Sequence, residues 1–338
     1  MDWRWTDSLG LAPMGADTPA RAIVWARAAE RAGLGSVWLI EDYFHPGAFA
    51  LAGAVAAVTE RATIGLGVVN PYTRHPALLA METAALGGMA PGRIVLGLGS
   101  SNRRWIEEQM GIAFHTPLAA LAECVGIVRS LLRGERVTFQ GKCFRLDDVQ
   151  LESPPKDEVP ILLGVKGHRA LRLAGEMADG VHCSVLASPA HVRRVRETAA
   201  AARGGRAEDF VVIAYVPMLV ADDGRRAREG VKPLLARYLG VLHGQSILED
   251  AGLGPAQTQP LKDALLRGDT AAHLVTDEMV EALAVAGTPE ECRRQLRRWA
   301  EAALDTAVAV VPRAADVVEQ VARIGAELSP AWKDMRWR

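Results

Sequence analysis

Short apolar runs recur along the chain, and between them the apolar positions open out to the three-to-four-residue spacing of helices. A first short strand is predicted over 8–12. Asp17-Thr18-Pro19 follows, a capping residue and a proline that start a helix over 21–31 with Ile23, Ala26, Ala29 and Ala32 as its apolar stripe. Gly33-Leu34-Gly35 ends that helix, and the run 36–40 (Ser-Val-Trp-Leu-Ile) predicts a second strand. A helix over 49–59 leads to a third strand, 63–69, and 93–99 (Arg-Ile-Val-Leu-Gly-Leu-Gly) reads as a fourth. A helix over 118–132 and a hairpin over 137–144 with Gly141 in its turn come next, before the rigid connector Pro154-Pro155. Strands at 160–164, 180–185 and 210–220 then alternate with helices at 167–177 and 189–202. Residues 224–287 are poor in strand signal and predict an α-helical insertion. Thr288-Pro-Glu-Glu291 has the capping-box spacing, and a strand over 304–311 and a helix over 317–328 close the chain.

Eight strands alternating with helices predict an α/β fold, a (β/α)8 TIM barrel carried as one domain over 1–338, with the insertion between strands seven and eight. The competing layout is a doubly wound open sheet. No Gly-x-Gly-x-x-Gly follows the first strand, which counts against it.

Composition narrows the function classes. Apolar residues make up 49% of the chain and aromatics only 5%, so aliphatics and alanine fill the core. Lys and Arg total 39 against 40 Asp and Glu, which leaves no global field to favour nucleic acid or a membrane surface. Cys124, Cys143, Cys183 and Cys292 show no metal-ligand spacing, which fits a reducing compartment and argues against a zinc site or a disulfide framework. No apolar run approaches a membrane span or a signal peptide, and the expectation is a cytoplasmic protein.

In a barrel of this kind, chemistry sits at the C-terminal ends of the strands. Asp42 follows strand two, Asn70 strand three, and Ser100 with Asn102 strand four. Gly65 and Gly67 leave room for something flat against the third strand, or simply for tight packing. After strand five comes Gly164-Val-Lys-Gly-His-Arg169, where a helix N-terminus and the basic groups Lys166, His168 and Arg169 suit a phosphate. Basic residues at that helix end oppose the macrodipole, a conflict that a bound anion resolves. A solvated basic cap is the plainer alternative. His75 and Arg74 lie in a loop that starts a helix, and a structural role suits both. Glu41 points away from Asp42 on an extended backbone. His182 lines the barrel or belongs to the core.

The stretch 64–76 (Ile-Gly-Leu-Gly-Val-Val-Asn-Pro-Tyr-Thr-Arg-His-Pro) resembles the third strand of the luciferase-like flavin and deazaflavin barrels. The segment Ala174 to Val181, the hairpin and the Ala286-Gly-Thr-Pro-Glu-Glu291 segment resemble the same superfamily, and within it the methylenetetrahydromethanopterin reductase branch. The resemblance implies coenzyme F420, the deazaflavin, as cofactor and a non-proline cis peptide at Gly67–Val68 pressed against its central ring. It implies cofactor contacts from Asp42, Gly67, Val68, Asn70, Gly99, Ser100, Gly164, Lys166, Gly167, His168 and Gly180, with Asp42 also the catalytic group. Asp179 holds a turn in this reading.

Two departures qualify it. Deazaflavin-dependent members typically show Asp-His-Phe after strand two, and this chain has Asp42-Tyr43-Phe44. Acidic residues near the ends of strands one and four are replaced by Leu11 or Ala12 and by Ser101. A pterin substrate is therefore not implied. The expected function is hydride transfer between coenzyme F420 and a small-molecule substrate by a homodimer. The alternatives are an FMN-dependent monooxygenase using reduced flavin and oxygen, and a non-catalytic flavin-binding barrel.

Overall fold

A computed structural model of the chain describes residues 4–13, 18–42, 44–205 and 208–336; Asp17 and Tyr43 lie outside them. The strands are β1 (Gly10–Leu11), β2 (Ser36–Leu39), β3 (Thr63–Val69), β4 (Ile94–Leu98), β5 (Val137–Gln140), β6 (Arg145–Val149), β7 (Ile161–Leu163), β8 (Gly180–Cys183), β9 (Val211–Val220), β10 (Val285–Gly287) and β11 (Thr306–Val310). Hydrogen bonding runs β1-β2-β3-β4-β7-β8-β9-β11 and returns from β11 to β1, which closes an eight-stranded parallel barrel. The antiparallel pair β5-β6 stands apart as the predicted hairpin.

Helices cover the outside of the barrel while side chains fill its inside, so the strands are buried on both faces and read as continuous apolar runs. Every residue of β4, β7 and β11 is buried. The first helix, Pro19–Arg31, starts where Thr18 Oγ1 accepts from Arg21 N, and it turns Trp25, Ala26 and Ala29 inward. Buried backbone donors beside the strands find side-chain acceptors. Asp179 accepts from Ile161 N at 2.8 Å and pairs with Arg129 at 3.0 Å, so it does hold a turn. Asp305 accepts from Val212 N at 2.6 Å and pairs with Arg196.

The insertion departs from expectation at one point. Its helices Gly224–Val241, Ser246–Glu249, Pro255–Leu266 and Asp277–Leu283 are as predicted, but Val285–Gly287 is a strand. It pairs with Met218–Val220, the end of β9 that runs past its β11 partner at Pro217. Three residues carry no readable period, and Gln295 completes the pairing by accepting from Ala286 N at 2.8 Å and donating to Ala286 O at 3.3 Å. A last helix, Ser329–Arg336, extends beyond the predicted end and buries Trp332. Among the described residues no helix is long and apolar enough to cross a membrane.

Candidate active site

The third strand builds the floor of the mouth. Its register against β4 moves from Leu66↔Leu96 to Val69↔Leu98, so one extra residue is accommodated and the strand bulges. The Gly67–Val68 peptide within that bulge is cis, as expected. Three glycines on two strands make room for it. A Cβ at Gly97, Gly99 or Gly164 would press on the Val68 methyl groups, at 2.9, 2.6 and 2.9 Å respectively. The Val68 side chain is thereby clasped between β4 and the end of β7. Gly99 and Gly164, expected as cofactor contacts, serve first as the seat of that side chain.

Below the bulge, aromatic rings fill the barrel. Trp38 stacks on His182 with centroids 5.2 Å apart, and His182 meets Tyr215 edge-on at 4.2 Å. Tyr215 Oη donates to Gly67 O at 2.9 Å, and a Cβ at Gly67 would collide with that hydroxyl. Burial pushes the His182 imidazole down to about 3, so it is neutral, and its Nε2 has no hydrogen-bond partner. His182 therefore belongs to the packed interior that supports the bulge. Tyr215 was not singled out in the sequence, because one tyrosine in an apolar ten-residue strand carries no motif; inward alternation along β9 is the only signal for it.

Around the mouth, Asp42 stands beyond the end of β2, half-buried, with a carboxylate that makes no ion pair or hydrogen bond among the described residues. Its neighbour Glu41 is engaged elsewhere, bound to Arg74, which reaches Glu82 through Nε at 3.1 Å. Arg74 thus ties the loop after β3 to the end of β2. Asn70 is buried and shapes its own turn: Oδ1 accepts from Tyr72 N at 2.9 Å and Thr73 N at 3.1 Å. His75 caps the next helix, accepting from Ala77 N at 3.2 Å. Ser100 is half-buried, while Asn102 is exposed and bonds Trp105 N at 3.1 Å.

Lys166 is the unusual cation. Its Nζ donates to Gln245 Oε1 of the insertion at 2.9 Å, and no carboxylate pairs with it among the described residues. Burial pushes its ammonium down to about 8. Nearby Arg194 donates to Lys166 O at 3.3 Å, but its charge is met by Asp250 at 2.8 Å, which also contacts His191 Nδ1 at 2.6 Å. Gly167 and His168 begin the helix His168–Met177 with both residues exposed and no side-chain cap. Gly180 does not join this group. It opens β8, so it lies at the opposite end of the barrel, where a Cβ would strike Val211 O and Leu162. Among the described residues no His, Cys, Asp and Glu cluster is arranged for a metal.

The structure sets Asp42, the Gly67–Val68 bulge, Ser100 and Lys166 at the C-terminal ends of the barrel strands, where Gln245 of the insertion reaches Lys166. A closed eight-stranded parallel barrel with surrounding helices is the fold of luciferase-like proteins. The chain belongs to the luciferase-like monooxygenase family, whose profile matches residues 5–306. It is 28% identical over 309 residues to a 5,10-methylenetetrahydromethanopterin reductase of Methanolobus tindarius, covering 90% of this chain and 94% of the relative. Its fold matches the coenzyme F420-dependent tetrahydromethanopterin reductase of Methanopyrus kandleri with a TM-score of 0.87, at 23% identity over 96% of this chain and 99% of the other. It also matches the FMN complex of the oxygenating constituent of 3,6-diketocamphane monooxygenase from Pseudomonas putida, with a TM-score of 0.73, at 18% identity over 96% and 98% of the two chains.

Proposed function

We propose that this protein is a coenzyme F420-dependent oxidoreductase that moves a hydride between the deazaflavin and a small organic substrate. The observation that carries this reading is Lys166, a half-buried ammonium at the end of the fifth barrel strand whose one partner among the described residues is a neutral amide. A buried cation lacking a counter-ion is costly, and an anionic group of a bound coenzyme supplies what is missing. A relative from Mycobacterium tuberculosis named as a putative coenzyme F420-dependent oxidoreductase, 29% identical over 94% of this chain and 97% of its own length, supports the deazaflavin over FMN.

The residues fit such a group. The bulge at Val68 offers backbone at the mouth, where glycines on the neighbouring strands keep side chains out of the way. The coenzyme, when bound, supplies hydride chemistry at a ring carbon. The chain's part is to bind and orient: Lys166 holds negative charge, the Gly67–Val68 backbone supports the ring, and the Asp42 carboxylate bonds the ring edge or accepts a proton beside it. The methanopterin itself is not assigned as substrate, since Leu11, Ala12 and Ser101 stand where acidic groups were expected.

The test is to titrate the apo-protein separately with coenzyme F420 and FMN, following ring fluorescence, and to repeat it with Asp42→Asn. Binding of the deazaflavin with no oxygen uptake supports the reading. Tight binding of FMN alone, with oxygen consumed on adding reduced flavin, promotes the monooxygenase. Binding of either with no turnover of any acceptor leaves a storage barrel. Native mass spectrometry of the same sample reads whether copies of the chain pair as the expected homodimer.

A further inference from the structure

Residues 245–250 of the insertion form a short rigid unit. Leu248 N donates to Gln245 O at 3.0 Å and Asp250 N to Ser246 O at 3.1 Å, and Gly244 and Gly252, both at positive φ, turn the chain on either side. Ile247 and Leu248 are buried in the core. Three polar side chains of the unit meet the barrel around Lys166. Gln245 Oε1 accepts from Lys166 Nζ at 2.9 Å, and Ser246 Oγ accepts from Arg194 Nη2 at 3.4 Å. Asp250 Oδ2 accepts from Arg194 Nη2 at 2.8 Å and from His191 Nδ1 at 2.6 Å, both on the helix Pro189–Ala202. Burial keeps the His191 imidazole below its ordinary value, and Arg194 and Lys166 press the same way against the pull of Asp250, so the ring is neutral and Nδ1–H is the donor. Arg194 in turn donates to Lys166 O at 3.3 Å. Lys166 is thereby held at both ends, its ammonium by Gln245 and its carbonyl by Arg194. Both holders trace back to Asp250: Arg194 through an ion pair, Gln245 through the rigid unit that carries them both.

We infer that Asp250 and Arg194 are positioning residues of the anion site: they dock residues 245–250 on the barrel and so fix the Lys166 ammonium where a bound anion meets it. This rests on the anion-binding reading of Lys166 above. A free lysine side chain samples many rotamers, and ordering it in advance removes a cost that binding would otherwise carry. Gln245 suits the task because a neutral amide orients the ammonium without cancelling its charge, whereas a carboxylate in its place would compete with the incoming anion. The Asp250 charge is balanced by Arg194, so Lys166 keeps its own for the ligand. By linkage, a bound anion that needs the ordered lysine also tightens the docking of the segment.

Two measurements decide it. The first needs no ligand. The chain has six lysines, and with isotope-labelled lysine the titration of Lys166 is followed by NMR and assigned with Lys166→Arg. Burial holds its midpoint down to about 8 in the parent. Losing the Asp250 charge can by itself only lower that midpoint, since a nearby carboxylate favours the ammonium, whereas release of the segment lets water reach the ammonium and raises it. Asp250→Asn should therefore move it up towards the ordinary 10.5, and an unmoved or lowered midpoint overturns the proposal. If stranding Arg194 prevents folding, the Arg194→Gln/Asp250→Asn protein leaves no unpaired charge and is read the same way. Second, coenzyme F420 is titrated by ring fluorescence into the parent, Asp250→Asn, Lys166→Ala and the double variant. Asp250→Asn should raise the dissociation constant about three- to tenfold, part of what Lys166 itself carries, and no more than about twofold in the Lys166→Ala background. A mere loss of negative charge beside the site would tighten anion binding instead. Tighter or unchanged binding, or an equal loss in both backgrounds, overturns the inference. Failure of the parent to bind coenzyme F420 defeats the function proposed above instead, and the lysine titration still decides whether Asp250 holds Lys166.

Discussion

Gly99→Ala tests the clasp on Val68, and its size can be worked from the geometry. The added Cβ falls 2.6 Å from Val68 Cγ2 and 3.3 Å from Gly164 O, both well inside van der Waals contact. Gly99 has no positive φ, so alanine suffers no backbone strain there and the whole effect is steric. A valine side chain is stiff at χ1. Overpacking of this kind costs about 1–3 kcal/mol. At about 2.1 cal/mol/K per residue, a chain of 338 residues has an unfolding entropy near ~0.7 kcal/mol/K. The melting temperature should therefore fall by about 1.5–4 °C. Because the clash pushes on the bulge, coenzyme affinity should also drop by about tenfold, or ~1.4 kcal/mol. Val68→Ala removes both methyl groups, so in that background Gly99→Ala should cost less than ~0.5 kcal/mol, a coupling that a double-mutant cycle detects. Scanning calorimetry and fluorescence titration of the four proteins supply the cycle. Equal costs of Gly99→Ala in both backgrounds would refute the clasp.

Lys166 gives a pH signature. Its folded-state value of about 8 lies below the ordinary 10.5, so the folded protein releases this proton first. The cost of burying the ammonium is thus fully present below pH 8 and is relieved as pH rises from about 8 towards 10.5. Anion binding has the opposite need, so coenzyme affinity should fall by up to about tenfold per pH unit above pH 8. Lys166→Ala should weaken binding by about ten- to a hundredfold and flatten that profile; a profile with the same slope in the variant places the anion elsewhere. Arg74→Ala strands the Glu41 carboxylate, which is 8% exposed, and should destabilise the fold by about 3 kcal/mol, with Glu41→Gln/Arg74→Ala recovering part of it in chemical denaturation. A loss under ~1 kcal/mol shows that the pair is solvent-screened.

The barrel was legible in the chain because its strands are buried on both faces and its helices carry their own start signals. Thr18-Pro19, Thr288-Pro289 and the run Thr63 to Val69 each act over a few residues, where local chemistry is decisive. The bulge was legible for the same reason, through a Gly-x-Gly before Asn-Pro and the resemblance that string carries. What the sequence could not say is which neighbour uses each residue. Gly99 and Gly164 look like open backbone until Val68 arrives from another strand, and Gly180 looks like part of the phosphate loop until β8 sets it at the far end of the barrel. Lys166 reads as one of three like basic groups suited to a phosphate until Gln245, 79 residues later, meets it and sets it apart from His168 and Arg169. β10 exists because β9 is long enough to offer it a partner. Tyr215 has no local signature, and its place beneath the bulge follows from strand alternation and from Gly67 O arriving from another strand. Local conformational preference wrote the elements; side-chain contacts between residues distant in sequence, which arise only on closing the barrel, assembled the site.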